Sequence, residues 1–340
     1  MAAGSRCEVA FVVVTWNSAT HIRKCIESIV AHALPTQRLK TITVIDNAST
    51  DETPAILTEL KGAVPGLRVT LRDRNIGFGA ANNTGFAEVP ARYYVLMNPD
   101  AWLVADSVSP ALALLHANPA VAVCGLPLVF PDGSPQTHSY RFSSGKKWLL
   151  QLLGVRALAA RAVRIRGLAA LLARSRLGRD FALLHARPPI DLERAGSGQH
   201  TGSSSRVDWV CGAAMVVDGD FIREADGFDR RMFLYGEDED LCIQAHRRGR
   251  SVVVVDAAPV VHELGWGANR FNRATADRKF LSLRHFIRKN VGSFADRLLM
   301  RLLLPFHVYG YRRFYRAWRA GKSREPECPE VGSGAPPGGA

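Results

Sequence analysis

Two hydrophobic patterns alternate along the first 130 residues: short continuous apolar runs, and longer stretches with apolar residues at helical spacing. The apolar runs predict buried strands at 9–16, 41–46, 67–72, 91–98 and 121–125. The stretches between them predict helices at 20–32, 53–60, 78–87 and 106–117. This alternation predicts an α/β fold with a mostly parallel sheet covered by helices on both faces.

The second part of the chain is less regular. Residues 133–206 are rich in Arg, Ala and Leu and then in Gly and Ser, and we interpret them as a basic, partly flexible insertion. Regular patterns return with a strand over 208–217, a helix near 219–225, a strand over 251–256 and a helical end over 273–320. The predicted boundaries divide the chain into residues 1–132, 133–206, 207–272, 273–324 and a disordered tail, 325–340.

Polar side chains follow four predicted strands where each strand ends. They are Thr15 and Asn17, Asp46 and Asn47, Asn75 and Gly77, and Asn98 and Asp100. Because ligands bind beyond the carboxyl ends of parallel strands, we interpret these four ends as a binding crevice. The carboxylate of Asp46 can accept hydrogen bonds from a uracil or thymine edge or from a ribose. Gly77 allows close backbone approach at a helix N-terminus, which suits a polar ligand.

A divalent cation can be held by the carboxylate and amide of the Asn98-Pro99-Asp100 turn, which leaves coordination sites for phosphate oxygens. His262 follows another apolar strand. As a further ligand beside Asp100 it would suit Mn²⁺, which accepts mixed oxygen and imidazole ligands.

Four consecutive acids, Glu237 to Asp240, precede a helical pattern in a basic chain. Acids in a first helical turn suit the helix dipole, so capping alone could explain them. The alternative is catalytic: Asp238 would act as a general base for an attacking hydroxyl, with clustered acids raising its proton affinity.

The net charge of +13 is concentrated in two segments, residues 133–179 with ten Lys/Arg and residues 301–324 with seven, and neither contains an acid. The rest of the chain has 27 Lys/Arg against 31 Asp/Glu, a net charge of −4. The basic segments therefore favour contact with a membrane surface or another polyanion.

Six scattered cysteines without a C-x-x-C pair exclude a disulfide framework and suit a reducing compartment. No apolar run reaches 18 residues, so we expect no membrane span, and no signal peptide is apparent.

The ordered motifs VVVTWNS, VIDNASTD, RNIGFGAANNTG, NPD, CGAAMVV and GFDRRMFLYGEDEDLCIQAHRRG resemble family 2 glycosyltransferases, and within them the rhamnosyltransferase-like branch acting on bacterial surface polysaccharides. The resemblance covers about 9–130 and 207–290. It implies a GT-A fold and inverting, metal-dependent transfer from a nucleoside-diphosphate sugar. Residues 1–132 would then be the nucleotide-sugar half and 207–272 the acceptor half of the domain.

The resemblance also implies roles for single residues. Asn98 to Asp100 match the family's metal motif with Asn for its first acid, so Asp100 carries most of the Mn²⁺ or Mg²⁺ binding. Asp238 matches the base and Glu237 an acceptor contact, whereas Glu239 is expected at the solvated surface and Asp240 as a helix-turn or supporting residue. The predicted contacts to the donor are Thr15, Asn17, Asp46 and Asn75. Trp209 is predicted to line the acceptor pocket.

The expected activity is transfer of L-rhamnose from dTDP-rhamnose to a lipid-linked or polymeric glycan, at the cytoplasmic face of the plasma membrane. A UDP-sugar donor is the alternative within the family. Aromatic and basic residues on opposite faces of 311–319 predict contact with an anionic membrane, or else a helix packed on the domain with a solvated basic face. A polyanion-binding protein is the alternative from another class. Nucleic acid is not the expected partner, because the motifs lie in the part of the chain outside the two basic segments, which has a net charge of −4. A nucleotidyltransferase would need a basic loop where Asn17-Ser18-Ala19 stands.

Overall fold

The computed structural model describes residues 7–33, 40–153, 202–263 and 273–322, with side chains of the last helix described as far as residue 308. The elements of the first part are β1 (Cys7–Thr15), α1 (Ile22–His32), β2 (Lys40–Asp46), α2 (Thr53–Ala63), β3 (Leu67–Leu71), α3 (Phe78–Glu88), β4 (Ala91–Met97), β5 (Ala101–Leu103), α4 (Val108–Ala117), β6 (Val121–Gly125), β7 (Leu128–Val129), β8 (Pro135–Gln136), β9 (Ser139–Tyr140) and α5 (Gly145–Leu152). Those of the second part are β10 (Ser204–Arg206), β11 (Trp209–Val210), β12 (Ala214–Asp218), α6 (Gly219–Ala225), α7 (Glu237–Arg247), β13 (Ser251–Val255), β14 (Val260–His262), α8 (Arg273–Asn290) and α9 (Phe294–Lys322).

The central sheet has eight strands in the order β10-β13-β6-β12-β4-β1-β2-β3. Strands β4, β1, β2 and β3 pair in parallel, as do β6 and β13. Strand β12 lies antiparallel between β4 and β6, and β10 is an antiparallel edge. The predicted α/β class with a mostly parallel sheet is confirmed.

The central strand β1 is buried on both faces, which explains its continuous apolar run. Phe11 and Val13 pack in one core layer, beneath α1, α2 and α4. Ala10 and Val12 face the other layer, which is formed with α3, α6 and α7. Because helices cover both sides, no position from Val9 to Val14 is left for a polar residue.

A second, smaller sheet was not predicted. Its strands run in the order β5-β14-β7-β8, and His262 pairs with Ala101 across β14 and β5. The strand predicted over 208–217 is in fact two strands, β11 and β12, separated by a turn at 211–213. Strands of two or three residues carry no detectable periodicity, so these elements form through long-range pairing.

Part of the predicted insertion is integrated into the fold. Strand β8 joins the small sheet, β9 pairs with β11, and α5 packs against α9. Residues 154–201 lie outside the described part of the chain. The predicted domain boundaries stay predictions.

The helical end predicted over 273–320 is confirmed as two helices, α8 and α9, which pack together and against α5. Their shared core contains Trp148, Met232, Phe286 and Leu304. Among the described residues, no helix is both long and apolar enough to cross a bilayer. The side chains of 311–319, on which the predicted membrane contact depends, lie outside the described residues.

Candidate active site

The loop after β2 is held against the end of β1. Asp46 is buried and accepts hydrogen bonds from the backbone N–H and the hydroxyl of Ser49. Burial raises the pKa of its carboxyl, although the Ser49 bonds oppose the shift. Thr15 pairs with Asp46 in the sheet, and its buried Oγ1 has no hydrogen-bond partner among the described residues. These two predicted donor contacts are therefore adjacent.

Asn17 has a structural role that sequence reasoning did not anticipate. Its backbone is left-handed, with φ 53°. Its side-chain oxygen accepts the backbone N–H of Thr50 at 2.6 Å and of Asp51 at 3.3 Å. Asn17 thus fixes the loop that carries Asp46, and its predicted contact with a donor stays a prediction.

The glycine-rich segment joins the crevice to the acidic segment. The amides of Asn47 and Asn75 bond to each other at 3.0 Å, and the Asn75 oxygen also accepts the N–H of Gly77. Gly77 has φ 92°, and a Cβ there would stand 2.5 Å from the carbonyl oxygen of Phe233. The glycine is required because two loops of the protein touch, which is a different reason from the ligand approach predicted for it.

Asp100 and His262 meet across the small sheet. Asp100 Oδ1 lies 3.4 Å from His262 Nε2, and both residues are buried. The Nδ1–H of His262 donates to Gln136 Oε1 at 2.6 Å, while Gln136 Nε2 donates to the His262 carbonyl at 3.1 Å. Asn98 Nδ2 lies 3.4 Å from His262 Nε2. The structure therefore brings the predicted metal ligands together and fixes the imidazole so that Nε2 faces Asp100.

The turn between β11 and β12 connects this pair to the acidic segment. The carbonyl of Ala213 accepts the N–H of Asn98 at 2.9 Å. One residue earlier, the N–H of Gly212 donates to Asp238 Oδ2 at 3.2 Å. Burial raises the pKa of Cys211 to about 12, and the charges of Asp238 and Asp100 add to this shift. The predicted metal segment and the predicted base therefore lie on either side of one turn.

The four acids have four different environments. Asp238 is half-buried and also accepts the N–H of Glu239. Glu237 is buried, and its Oε2 has no hydrogen-bond partner among the described residues. Asp240 is fully buried and accepts from Lys289 at 2.8 Å, Asn290 at 2.7 Å and Gln244 at 3.0 Å.

The prediction that Glu239 is solvated was wrong. Its side chain is buried and accepts the backbone N–H of Ser143, and also the Ser143 hydroxyl at 2.7 Å. The position faces inward because the loop after β9 folds over α7, a long-range contact that helical periodicity does not reveal.

Burial changes the acid–base properties of this cluster. It raises the pKa of Glu237 to about 8, with the charge of Asp238 as the second cause. It also raises the pKa of Asp238, and that of Glu239 to about 7. Raised proton affinity suits a group that takes a proton near neutral pH. The backbone before the cluster has positive φ at two residues: 73° at Tyr235, which is strained for a residue with a side chain, and 96° at Gly236, which glycine adopts without strain.

Trp209 is held by two residues of the loop that contains β9. Its ring stacks on Tyr140 with centroids 4.4 Å apart, and its indole N–H donates to the carbonyl of Arg141 at 3.0 Å. Its predicted contact with an acceptor stays a prediction. Sequence reasoning missed Gln136, Tyr140 and Ser143 because all three lie in the segment interpreted as an insertion.

Comparison with known proteins identifies the domain. Residues 10–170 match the model of the family described as Glycosyl transferase family 2. The chain carries a family 2 glycosyltransferase domain. The match extends into the predicted insertion, as do the contacts of β8, β9 and α5.

Two relatives support a rhamnosyltransferase-like member of this family. An N-acetylglucosaminyl-diphospho-decaprenol L-rhamnosyltransferase from Mycobacterium tuberculosis (strain CDC 1551 / Oshkosh) is 24% identical over 271 residues, which are 76% of this chain and 77% of that protein. The rhamnosyltransferase WbbL of Escherichia coli (strain K12) is 32% identical over 111 residues, 31% of this chain and 39% of that protein. The resemblance predicted from the motifs is confirmed, and the protein is a glycosyltransferase.

A solved structure supports the fold of the family 2 domain. The mannosyltransferase PcManGT from Pyrobaculum calidifontis, in complex with GDP-Man and Mn²⁺, has a TM-score of 0.52 at 16% identity, covering 96% of this chain and 77% of that one. The predicted GT-A fold is confirmed.

Proposed function

We propose that this glycosyltransferase is inverting and metal-dependent, and moves L-rhamnose from dTDP-rhamnose to a hydroxyl of a lipid-linked or polymeric cell-envelope glycan. The observation that carries the mechanism is the 211–213 turn, which hydrogen-bonds Asn98 on one side and Asp238 on the other. The sugar and the acceptor class are supported by the name of the mycobacterial relative, which includes N-acetylglucosaminyl-diphospho-decaprenol and L-rhamnose.

The residues around His262 fit a divalent cation, Mn²⁺ or Mg²⁺. Nε2 of His262 and a carboxylate oxygen of Asp100 face each other, and Gln136 fixes the other ring nitrogen in the way that supporting residues orient metal-bound histidines. In the described chain, no third His, Cys, Asp or Glu completes a cluster with them. Such a pair leaves coordination positions for diphosphate oxygens, and a cation there would stabilise the charge of the leaving diphosphate.

Asp238 is the proposed base. Its carboxylate takes the proton of the acceptor hydroxyl while that oxygen forms a bond to the anomeric carbon of the sugar. The bond from the anomeric carbon to the diphosphate oxygen breaks, and its electron pair leaves on that oxygen. Because the hydroxyl attacks the face opposite the leaving diphosphate, the configuration inverts. The Gly212 N–H holds the base at the site, and Glu237 contacts the acceptor. Trp209 lines the acceptor side.

In the proposed site, Asp46 would accept a hydrogen bond from the nucleobase of the donor. The donor side is formed by Thr15, Asn17, Asp46, Asn75 and Gly77. With a cytoplasmic nucleotide-sugar donor and a lipid-linked acceptor, we place the enzyme at the inner face of the plasma membrane.

The test is donor turnover without an acceptor. We would measure hydrolysis of dTDP-rhamnose, UDP-galactose, UDP-glucose and UDP-N-acetylglucosamine, each with Mn²⁺ or EDTA. Asp238→Asn is compared with wild type, and Asp277→Asn on the exposed face of α8 is the matched control. Turnover of dTDP-rhamnose alone, abolished by EDTA and by Asp238→Asn but not by Asp277→Asn, is the expected result. Turnover of a UDP-sugar would overturn the sugar assignment and leave the mechanism, whereas equal turnover in EDTA would overturn the metal.

A further inference from the structure

One side of α9 presents apolar side chains to solvent. Phe294, Leu298, Leu302 and Phe306 are 78%, 49%, 61% and 59% exposed. Positions four apart in a helix differ by only about 40° in direction, so these residues form one stripe about 18 Å long. We call these four residues the apolar stripe. The opposite side of the helix packs into the core through Met300, Leu303, Leu304 and Val308, so the helix has two apolar sides of which one is uncovered.

The apolar stripe differs from an isolated surface leucine. Leu281 on α8 is 60% exposed, but its exposed neighbours on that face are Asp277, Arg284 and Arg288. Single exposed apolar residues are normal, whereas a continuous exposed apolar row marks an interaction surface.

The charge around the apolar stripe indicates its partner. Arg301 is exposed beside it, and the one acid of the helix's first turn, Asp296, is engaged by the backbone N–H of Gly145 at 2.7 Å. Helix α9 continues the acid-free basic segment 301–324, and α5, which packs on α9, leads into the rest of the basic segment 133–179. An apolar row beside Arg301, on a helix that belongs to an acid-free basic stretch of the sequence, fits an anionic lipid interface, while a second copy would bring like charges together.

The apolar stripe is connected to the catalytic cluster by a short loop. Ser143 binds Glu239, next to the proposed base, and Gly145, two residues later, binds Asp296 in the first turn of α9. The contact that holds α9, at Gly145, is therefore only two residues along the chain from the contact with the acidic cluster, at Ser143.

We propose that the apolar stripe of α9 docks the enzyme on the anionic surface of a lipid bilayer, with Arg301 beside the stripe contacting the headgroups. The orientation of Asp238 toward a lipid-linked acceptor rests on the proposed function, but the docking itself does not.

The experiment is flotation of the full chain with vesicles. Wild type is compared with Leu298→Glu, Leu302→Glu and the matched control Leu281→Glu, on vesicles of phosphatidylcholine with 30% phosphatidylglycerol, roughly the charge of an anionic leaflet, and on pure phosphatidylcholine. We expect wild type and Leu281→Glu to bind the anionic vesicles within about twofold of each other. Each stripe variant should bind at least about tenfold more weakly, since a buried charge opposes insertion of an apolar row.

Two results would overturn the docking. One is stripe variants that float as well as wild type. The other is a wild-type protein that does not float with vesicles but sediments as a dimer. If Leu298→Glu dissociates that dimer, the stripe is the contact between two copies of the chain. Urea unfolding checks that each variant is folded. Donor hydrolysis in vesicle-free buffer separates the two proposals. If wild type and all variants fail to hydrolyse a donor while wild type still floats with vesicles, the proposed function is overturned and the docking is not.

Discussion

The buried carboxyl of Glu237 makes the stability of this protein depend on pH. Its pKa in the folded state is about 8, raised from 4.5 by burial and then by the charge of Asp238. A carboxyl whose pKa is raised binds more protons in the folded state than in the unfolded chain, so stability falls as pH rises between the two values. One pKa unit corresponds to about 1.4 kcal/mol, so between pH 5 and pH 8 this group alone lowers the free energy of unfolding by about 3 kcal/mol.

Glu237→Gln removes that titration while keeping the shape of the side chain. Between pH 5 and pH 8, the free energy of unfolding should fall by about 3 kcal/mol less in the variant than in wild type. The variant should also have much lower transferase activity. Urea unfolding followed by circular dichroism at half-unit pH steps measures the difference. Asp238→Asn removes the second cause of the Glu237 shift and also removes a carboxyl whose own pKa is raised by burial, so it should flatten the fall as well.

Asp132→Asn is the control for the direction in which stability changes with pH. Hydrogen bonds from Ser134 lower the pKa of Asp132, so removing this carboxyl cannot flatten a fall in stability on the alkaline side. If Glu237→Gln loses stability as steeply as wild type between pH 5 and pH 8, the burial argument for the raised pKa of Glu237 fails, and the fall belongs to another group such as Glu239.

Three further changes test the supporting contacts. Gln136→Leu removes the acceptor of the His262 Nδ1–H and should weaken activation by Mn²⁺ about 10- to 100-fold in a metal titration of donor hydrolysis, while Asn118→Leu at the exposed end of α4 serves as the control; unchanged activation would contradict a metal-orienting role for Gln136. Asp240→Ala removes the buried acceptor of Lys289, Asn290 and Gln244, and should cost about 2 kcal/mol in urea unfolding, since Lys289 keeps its 2.9 Å pair with Asp229 while the two amides lose a hydrogen bond; a cost below about 1 kcal/mol would contradict this network. Gly77→Ala places a Cβ 2.5 Å from the Phe233 carbonyl oxygen at φ 92° and should cost about 2 kcal/mol or more, whereas Gly62→Ala in α2, where a Cβ meets nothing within 4 Å, should be neutral or stabilise by up to about 1 kcal/mol.

The outcome for the acidic segment shows where sequence reasoning succeeded and where it failed. The pattern of apolar positions after Asp240 predicted a helix, and α7 begins at Glu237 as the dipole argument expected. The same pattern left Glu239 on the outside, yet its carboxyl is covered by Ser143, 96 residues away in the chain. A single helix has a face that periodicity can identify, but the loop that covers the opposite face is chosen by the rest of the fold.

The donor side shows the same division. The positions of Asp46, Asn75 and Asp100 at strand ends followed from the sequence alone, because parallel strands place their carboxyl ends at one edge. The amides of Asn17 and Asn47 are occupied by loop hydrogen bonds, and no local pattern separates an amide that supports a loop from one that meets a ligand.

The sequence by itself determined the α/β class, the order of the long strands and helices, and the edge of the sheet at which the polar residues gather. These features depend on hydrophobic periodicity, which is local and repeated over many residues. Only the tertiary structure decided that His262 faces Asp100, that one turn joins Asn98 to Asp238, and that Gln136 and Ser143 support the site. Each of these depends on a few atoms brought together from distant segments by short strands and turns, whose pairing energy comes from the assembled fold and leaves no periodic trace in the chain.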